Sequence, residues 1–147
     1  MGNLTHEQYK KSLLNTYTIT EQDVAANGKL HFDNVNIDDG CSINFTPGST
    51  AVTLAKPGAY LIIADAIVNT EAAGVATMQI NKNGNAINGA TTSVTTVIGN
   101  DYTLTASTIV KVLPSCCAVD NTTVITVVNT GIAATYTNAN LIVIKLC

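Results

Sequence analysis

Four cysteines are the most reactive groups in the chain: Cys41 just after Asp39-Gly40, the adjacent pair Cys116-Cys117 after Pro114, and Cys147 at the last position. Neighbouring cysteines do not readily close on each other across a relaxed trans peptide, because their side chains diverge, so each needs a separate partner. Placement in turns and at the chain end suits bridges between subunits. Cys41, Cys116, Cys117 and Cys147 are therefore the disulfide candidates, with plain free thiols as the alternative. A cytoplasm would keep them reduced until the protein meets an oxidising surface.

The remaining polar chemistry is sparse. Only two histidines occur, His6 and His31, and neither lies near a nucleophile motif, an HExxH motif or a CxxC pair. Zinc needs several His or Cys ligands at suitable spacing, which this pattern does not offer. Asp33, Asp38 and Asp39 precede Gly40 and read as a solvated turn rather than a calcium loop; Asn81, Asn83 and Asn85 around Gly84 have no acid at the twelfth position and read as a hairpin. Asp65 is the unusual carboxylate, since it interrupts the most apolar stretch, Tyr60 to Val68. With no arginine in the chain and no histidine near it in sequence, it has no nameable catalytic partner. It reads as a hydrogen-bonded buried acid or one that faces a subunit axis. No acid, base and nucleophile constellation exists, so no catalytic residues, metal site or cofactor are expected, and no enzyme.

Composition narrows the partners. All seven cations are lysine, the net charge is −3, and there is no tryptophan. A chain without arginine forks, basic clusters or aromatic platforms has no means of gripping nucleic acid. No lysine run suits an anionic membrane, and the longest uninterrupted apolar run, Ala59 to Ala64, is too short to span one. The start, MGNLTHEQYKK, has no apolar h-region, so the expectation is synthesis in a cytoplasm without a signal peptide.

The elements that must hold these residues are β-strands. Val, Ile and Thr make up 50 of 147 residues, and apolar positions recur with period two from Asn15 onward. Gly28, Asp39-Gly40, Pro47-Gly48 and Pro57-Gly58 divide the runs at about ten-residue intervals, and Asn83-Gly84 marks a two-residue hairpin. Residues 5–14 alone read as helix, with Thr5 and Gln8 as a capping box and Leu4 and Tyr9 as a staple. So short a helix needs a surface to dock on. The expected architecture is all-β: a single antiparallel jelly-roll sandwich over residues 24–147, preceded by an N-terminal arm over residues 1–23. Strands apolar on both faces would leave a lone sandwich with a sticky surface, which implies a subunit interface.

Three segments carry a family likeness. Thr53 to Ile62 (TLAKPGAYLI) resembles a strand of the complement and tumour-necrosis-factor superfamily of trimeric jelly rolls, and Ile80 to Gly84 (INKNG) resembles its Lys-Asn-Gly hairpin. Asn140 to Leu146 is similar to the last strand of the collagen-like glycoproteins of bacterial spore surfaces, although no Gly-X-Y stalk is present here. The resemblance spans residues 24–146. It implies a homotrimer with the last strand near the threefold axis.

The expected function is that of a structural subunit of a bacterial spore-surface appendage or coat, with trimers stacked into fibres. The connector would be the apolar residues of the arm, Tyr9, Leu13, Leu14, Tyr17 and Ile19. The alternatives are a bacteriophage fibre or decoration protein at a virion surface, and a trimeric module that binds a glycan, receptor or surface anchor protein. The last would use loop aromatics, for which Tyr102 and Tyr136 are the candidates.

Overall fold

The computed structural model describes residues 11–114 and 122–147. Its eleven strands are β1 (Leu13–Thr18), β2 (Gln22–Val24), β3 (Asn34–Asp39), β4 (Ile43–Asn44), β5 (Ala51–Leu54), β6 (Gly58–Asn69), β7 (Gly74–Lys82), β8 (Asn85–Thr96), β9 (Tyr102–Val112), β10 (Thr123–Asn129) and β11 (Ala134–Lys145). They form two antiparallel sheets. One runs β3-β1-β11-β6-β9, with β2 also on β11; the other runs β4-β5-β10-β7-β8. The all-β sandwich expected from composition is therefore the fold.

Period two decides what enters the core. Along β6 the buried set is Tyr60, Ile62, Ala64, Ala66 and Val68, and β11 contributes Tyr136, Ala139, Leu141 and Val143 from the same sheet. Val52 and Leu54 of β5, Ala76, Met78 and Ile80 of β7, and Ile125 and Val127 of β10 close over them from the other sheet. Each fully buried aliphatic or aromatic chain is worth about 1.5–3 kcal/mol, so this layer dominates the stability. Asn83 (φ 52°) and Gly84 (φ 82°) link the paired residues Lys82 and Asn85. This is the two-residue turn with two left-handed centres that Asn-Gly favours.

Two expectations need correction. Residues 13–14 are not the end of a helix: Leu13 to Thr18 is a strand that pairs with β11 on one side and β3 on the other. Leu14 is 1% exposed and enters the core, while Leu13 points away from it. Two ladders and a core position outweigh the small preference of an isolated helical turn. Nor does the body begin at residue 24, because β1 and β2 are inside the six-stranded sheet. Leu13, Leu14 and Tyr17 thus belong to the domain rather than to a connector; Ile19 is 60% exposed beyond the end of β1, and Tyr9 lies outside the described residues.

Candidate subunit interface

Both sheets have an outer face, and the two differ in chemistry. On the β7-β8 side the outward residues are Val75, which is 47% exposed, and the polar Thr77, Gln79, Asn81, Thr91, Ser93 and Thr95. The polar groups bond to one another: Thr77 Oγ1 lies 2.9 Å from Ser93 Oγ, Gln79 Nε2 donates to Asn81 Oδ1 at 2.6 Å, and Thr91 Oγ1 donates to Gln79 Oε1 at 3.2 Å. This hydroxyl and amide lattice is a surface suited to water.

The outer face of the six-stranded sheet carries two largely apolar rows. Register places Leu13, Ile144, Leu61 and Ile109 side by side on β1, β11, β6 and β9. The next row is Ile37, Asn15, Ile142, Ile63 and Ser107, from β3 across to β9. Most of these side chains are half-buried by their neighbours, but Ile109 is 61% exposed. A contiguous apolar sheet face of this kind marks an interaction surface.

The third row is polar. Tyr17, Asn140, Asp65 and Thr105 stand opposite one another across β1, β11, β6 and β9. Asn140 Oδ1 accepts from Asn15 Nδ2 at 2.7 Å, and Asn36 Nδ2 in turn donates to Asn15 Oδ1 at 2.8 Å. The Asp65 side chain makes no hydrogen bond or ion pair with another described residue, and burial pushes its carboxyl above the usual carboxylate range. Asp65 is therefore not the hydrogen-bonded buried acid of the first expectation but a half-buried one on the outer sheet face, and the Asn15-Asn140 pair beside it escapes sequence inspection. Only the registry of strands far apart in the chain puts them in line.

The other singled-out residues are elsewhere. Cys41 and Cys147 are free, exposed thiols at one end of the sandwich: Ser12 Oγ accepts from Ser42 N, Ser12 O accepts from Lys145 N, and Cys147 O accepts from Ala59 N. Lys11 lies at this end too, its Nζ donating to Leu146 O at 3.0 Å. Cys116 and Cys117 lie outside the described residues. His31 Nδ1 sits 2.9 Å from Asp33 Oδ1 at the surface, and no group of three metal-ligating side chains occurs among the described residues.

Tyr136 corrects the idea of a loop aromatic available to a ligand. It is wholly buried, since its β11 position faces inward, and burial raises its phenol to about 12. Its hydroxyl donates to Asn129 Oδ1 at 3.1 Å. Tyr102 is half-buried, and its oxygen accepts from Val97 N at 3.0 Å. At the end of the sandwich opposite the cysteines, an open cleft of about 590 Å³ is lined by Asp23, Val24, Glu71, Ile132 and Thr135, among others. Thr135 Oγ1 donates to Asp23 Oδ1 there at 2.7 Å.

No protein-family model matches this chain, and no curated protein matches it. Solved structures do. Murine APRIL superposes with a TM-score of 0.69 at 11% identity, covering 93% of this chain and all of that one. The globular domain of a zebrafish complement 1qA protein gives 0.68 at 8%, covering 93% and 98%. The fold is a jelly roll of the tumour-necrosis-factor and C1q type. The vertex protein P5 of PRD1 shares it, with a TM-score of 0.59 at 16% identity over 92% of this chain and 97% of that one. At such identities the likeness speaks for the fold of this jelly roll alone.

Proposed function

We propose that this jelly roll is a non-enzymatic structural subunit that works as a homotrimer, with the outer face of its six-stranded sheet turned toward the threefold axis and β11 near it. The observation that carries this reading is the contrast between the two outer faces: the β7-β8 side is mostly a lattice of hydroxyls and amides, while two rows of the six-stranded sheet carry Leu13, Leu61, Ile63, Ile109, Ile142 and Ile144. Water solvates the first at no cost, while the second gains by burial against further copies of itself. Its single central carboxylate leaves little charge repulsion to oppose the contact. The likeness to tumour-necrosis-factor and C1q jelly rolls supports the same arrangement.

The trimer is the building block of a surface fibre or coat, as in a spore appendage. The end carrying Cys41 and Cys147 is its joining end, where exposed thiols bridge neighbouring trimers once oxidised, and Lys11 stands at the same end. Connection between trimers then falls to residues 1–10 rather than to Leu13, Leu14 and Tyr17, which the sheet already uses. A second reading, a vertex or fibre protein of a virion, draws support from the likeness to the PRD1 vertex protein.

Light scattering of the purified chain should give about three times 15.3 kDa, and electron microscopy after oxidation should reveal end-joined particles or fibres. A monomer at micromolar concentration would overturn the trimer. Trimers that stay single after complete thiol oxidation would overturn the joining role.

A further inference from the structure

We infer that Asp65 makes assembly through the six-stranded sheet face proton-dependent, the subunits associating tightly when its carboxyl is protonated and loosening as it ionises. The inference rests on the threefold reading above. Its geometry is local to β6, where Ile63 and Ile67 flank Asp65 along the strand on the same face. Across the ladder it faces Asn140 on β11 and Thr105 on β9, both uncharged.

No countercharge is at hand. On β11 the neighbouring outward residues are Thr137 and Ile142; on β9 they are Thr103 and Ser107. Tyr17 of β1, beyond Asn140 in the same row, is titratable but carries no positive charge. The charged residues of this sheet stand away from the Asp65 row: Asp38 and Asp39 opposite Leu14 and Leu13, Asp23 opposite Thr135, and the two lysines at the far ends of their strands, Lys111 opposite Ala59 and Lys145 opposite Tyr60; Asp101, just before β9, accepts from Asn69 Nδ2 at 2.8 Å. A second copy brought against this face presents the same inventory, so it offers Asp65 no cation from the matching region.

Burial in a single subunit already disfavours the charged form. Covering the face with further copies removes more water from the carboxyl and brings three such groups toward one axis, and both effects favour the neutral acid. The sign follows from linkage. A carboxyl whose affinity for protons rises on association binds protons as the trimer forms, so acid strengthens the trimer and rising pH weakens it. Protonated Asp65 also gains a donor, which Asn140 and Thr105 oxygens can accept, whereas the ionised form can only accept.

The test is sedimentation equilibrium of the full chain between pH 5 and pH 8 under reducing conditions, beside Asp65→Asn and Asp65→Ser. The unchanged protein should reach half-assembly at about tenfold or more lower concentration at pH 5 than at pH 8. Asp65→Asn, isosteric and always neutral, should assemble tightly and almost equally at both. Circular dichroism of both variants checks that the sandwich persists, and Asp65→Ser reports on a neutral group of different shape. A trimer whose affinity is flat with pH, or pH-dependence that survives in both variants, would overturn the proton role while leaving the trimer intact. Tighter assembly at high pH, as a shared cation would give, overturns it as well. Failure of all three proteins to associate at any pH instead removes the trimer itself.

Discussion

Asn15 Nδ2 donates a 2.7 Å hydrogen bond to Asn140 Oδ1, joining residues 125 positions apart across the β1-β11 ladder. The bond ties the first strand into the same sheet as the last one. It also occupies the Asn140 oxygen on the side away from Asp65, so the polar row is ordered before any second subunit arrives.

Because β1 is an internal strand, flanked by β11 and β3, deleting residues 1–20 should unfold the sandwich or lower its urea midpoint sharply. Removing residues 1–10 should leave the midpoint within experimental error. Denaturation monitored by circular dichroism distinguishes the two truncations, and equal stability of both would contradict the placement of β1.

The contrast between the outer faces predicts an asymmetry in charge tolerance. Ile142→Asp or Ile63→Asp should convert the trimer to monomer at micromolar concentration with the fold retained, since a lone carboxylate in a covered apolar surface is costly. Ser93→Asp, on the hydroxyl-rich face, should leave the mass by light scattering unchanged.

Asn129 is a polar keystone in the core. Its Nδ2 donates to Val24 O, Ala25 O and Ile132 O at 2.9–3.3 Å, and its Oδ1 accepts from Gly131 N and the Tyr136 hydroxyl. Asn129→Ala strands these partners and should cost about 1–3 kcal/mol or more of unfolding free energy, the usual penalty for an unsatisfied buried group. A change under half a kcal/mol, about the scatter of surface substitutions, would contradict that role.

Tyr136 makes a pH prediction with a definite sign. Its phenol titrates at about 12 in the folded chain because burial disfavours the anion. The stabilisation from keeping it neutral is complete below the ordinary tyrosine value, about 10, and is lost as pH rises from there toward 12. Ultraviolet difference titration should therefore find a tyrosine that stays un-ionised past pH 11 and ionises together with unfolding. Tyr136→Phe should reduce the amplitude of that late step, with Tyr60, whose phenol burial also raises, accounting for what remains.

The thiol prediction is read on gels. Material oxidised by dissolved oxygen should run as ladders that collapse with reductant, and Cys41→Ser with Cys147→Ser together should shorten them. An unchanged ladder in that double variant would assign the bridges to Cys116 and Cys117 instead.

Much of the sandwich is legible in the residues themselves. The nearly continuous apolar run Tyr60 to Val68, the alternation in Asn140 to Leu146, the Asn83-Gly84 turn, and the Pro-Gly and Asp-Gly breaks are local signals with local causes, namely side-chain period and backbone freedom at positive φ. Even the oddness of Asp65 is apparent there, because a carboxylate within an apolar run costs free energy wherever that run folds. What tertiary structure alone decided is the partnership of distant strands. Leu13 and Leu14 suit the face of a short helix or the two sides of a strand, and only pairing with β11 and β3 selects the strand. Tyr136 and Tyr102 look alike in composition, yet register turns one fully inward and leaves the other half-covered. The apolar residues of β6 and β11 fall into two sets, Tyr60, Ile62, Leu141 and Val143 against Leu61, Ile63, Ile142 and Ile144. Alternation separates the sets but does not say which meets the second sheet; that choice belongs to the packing of the two sheets against each other.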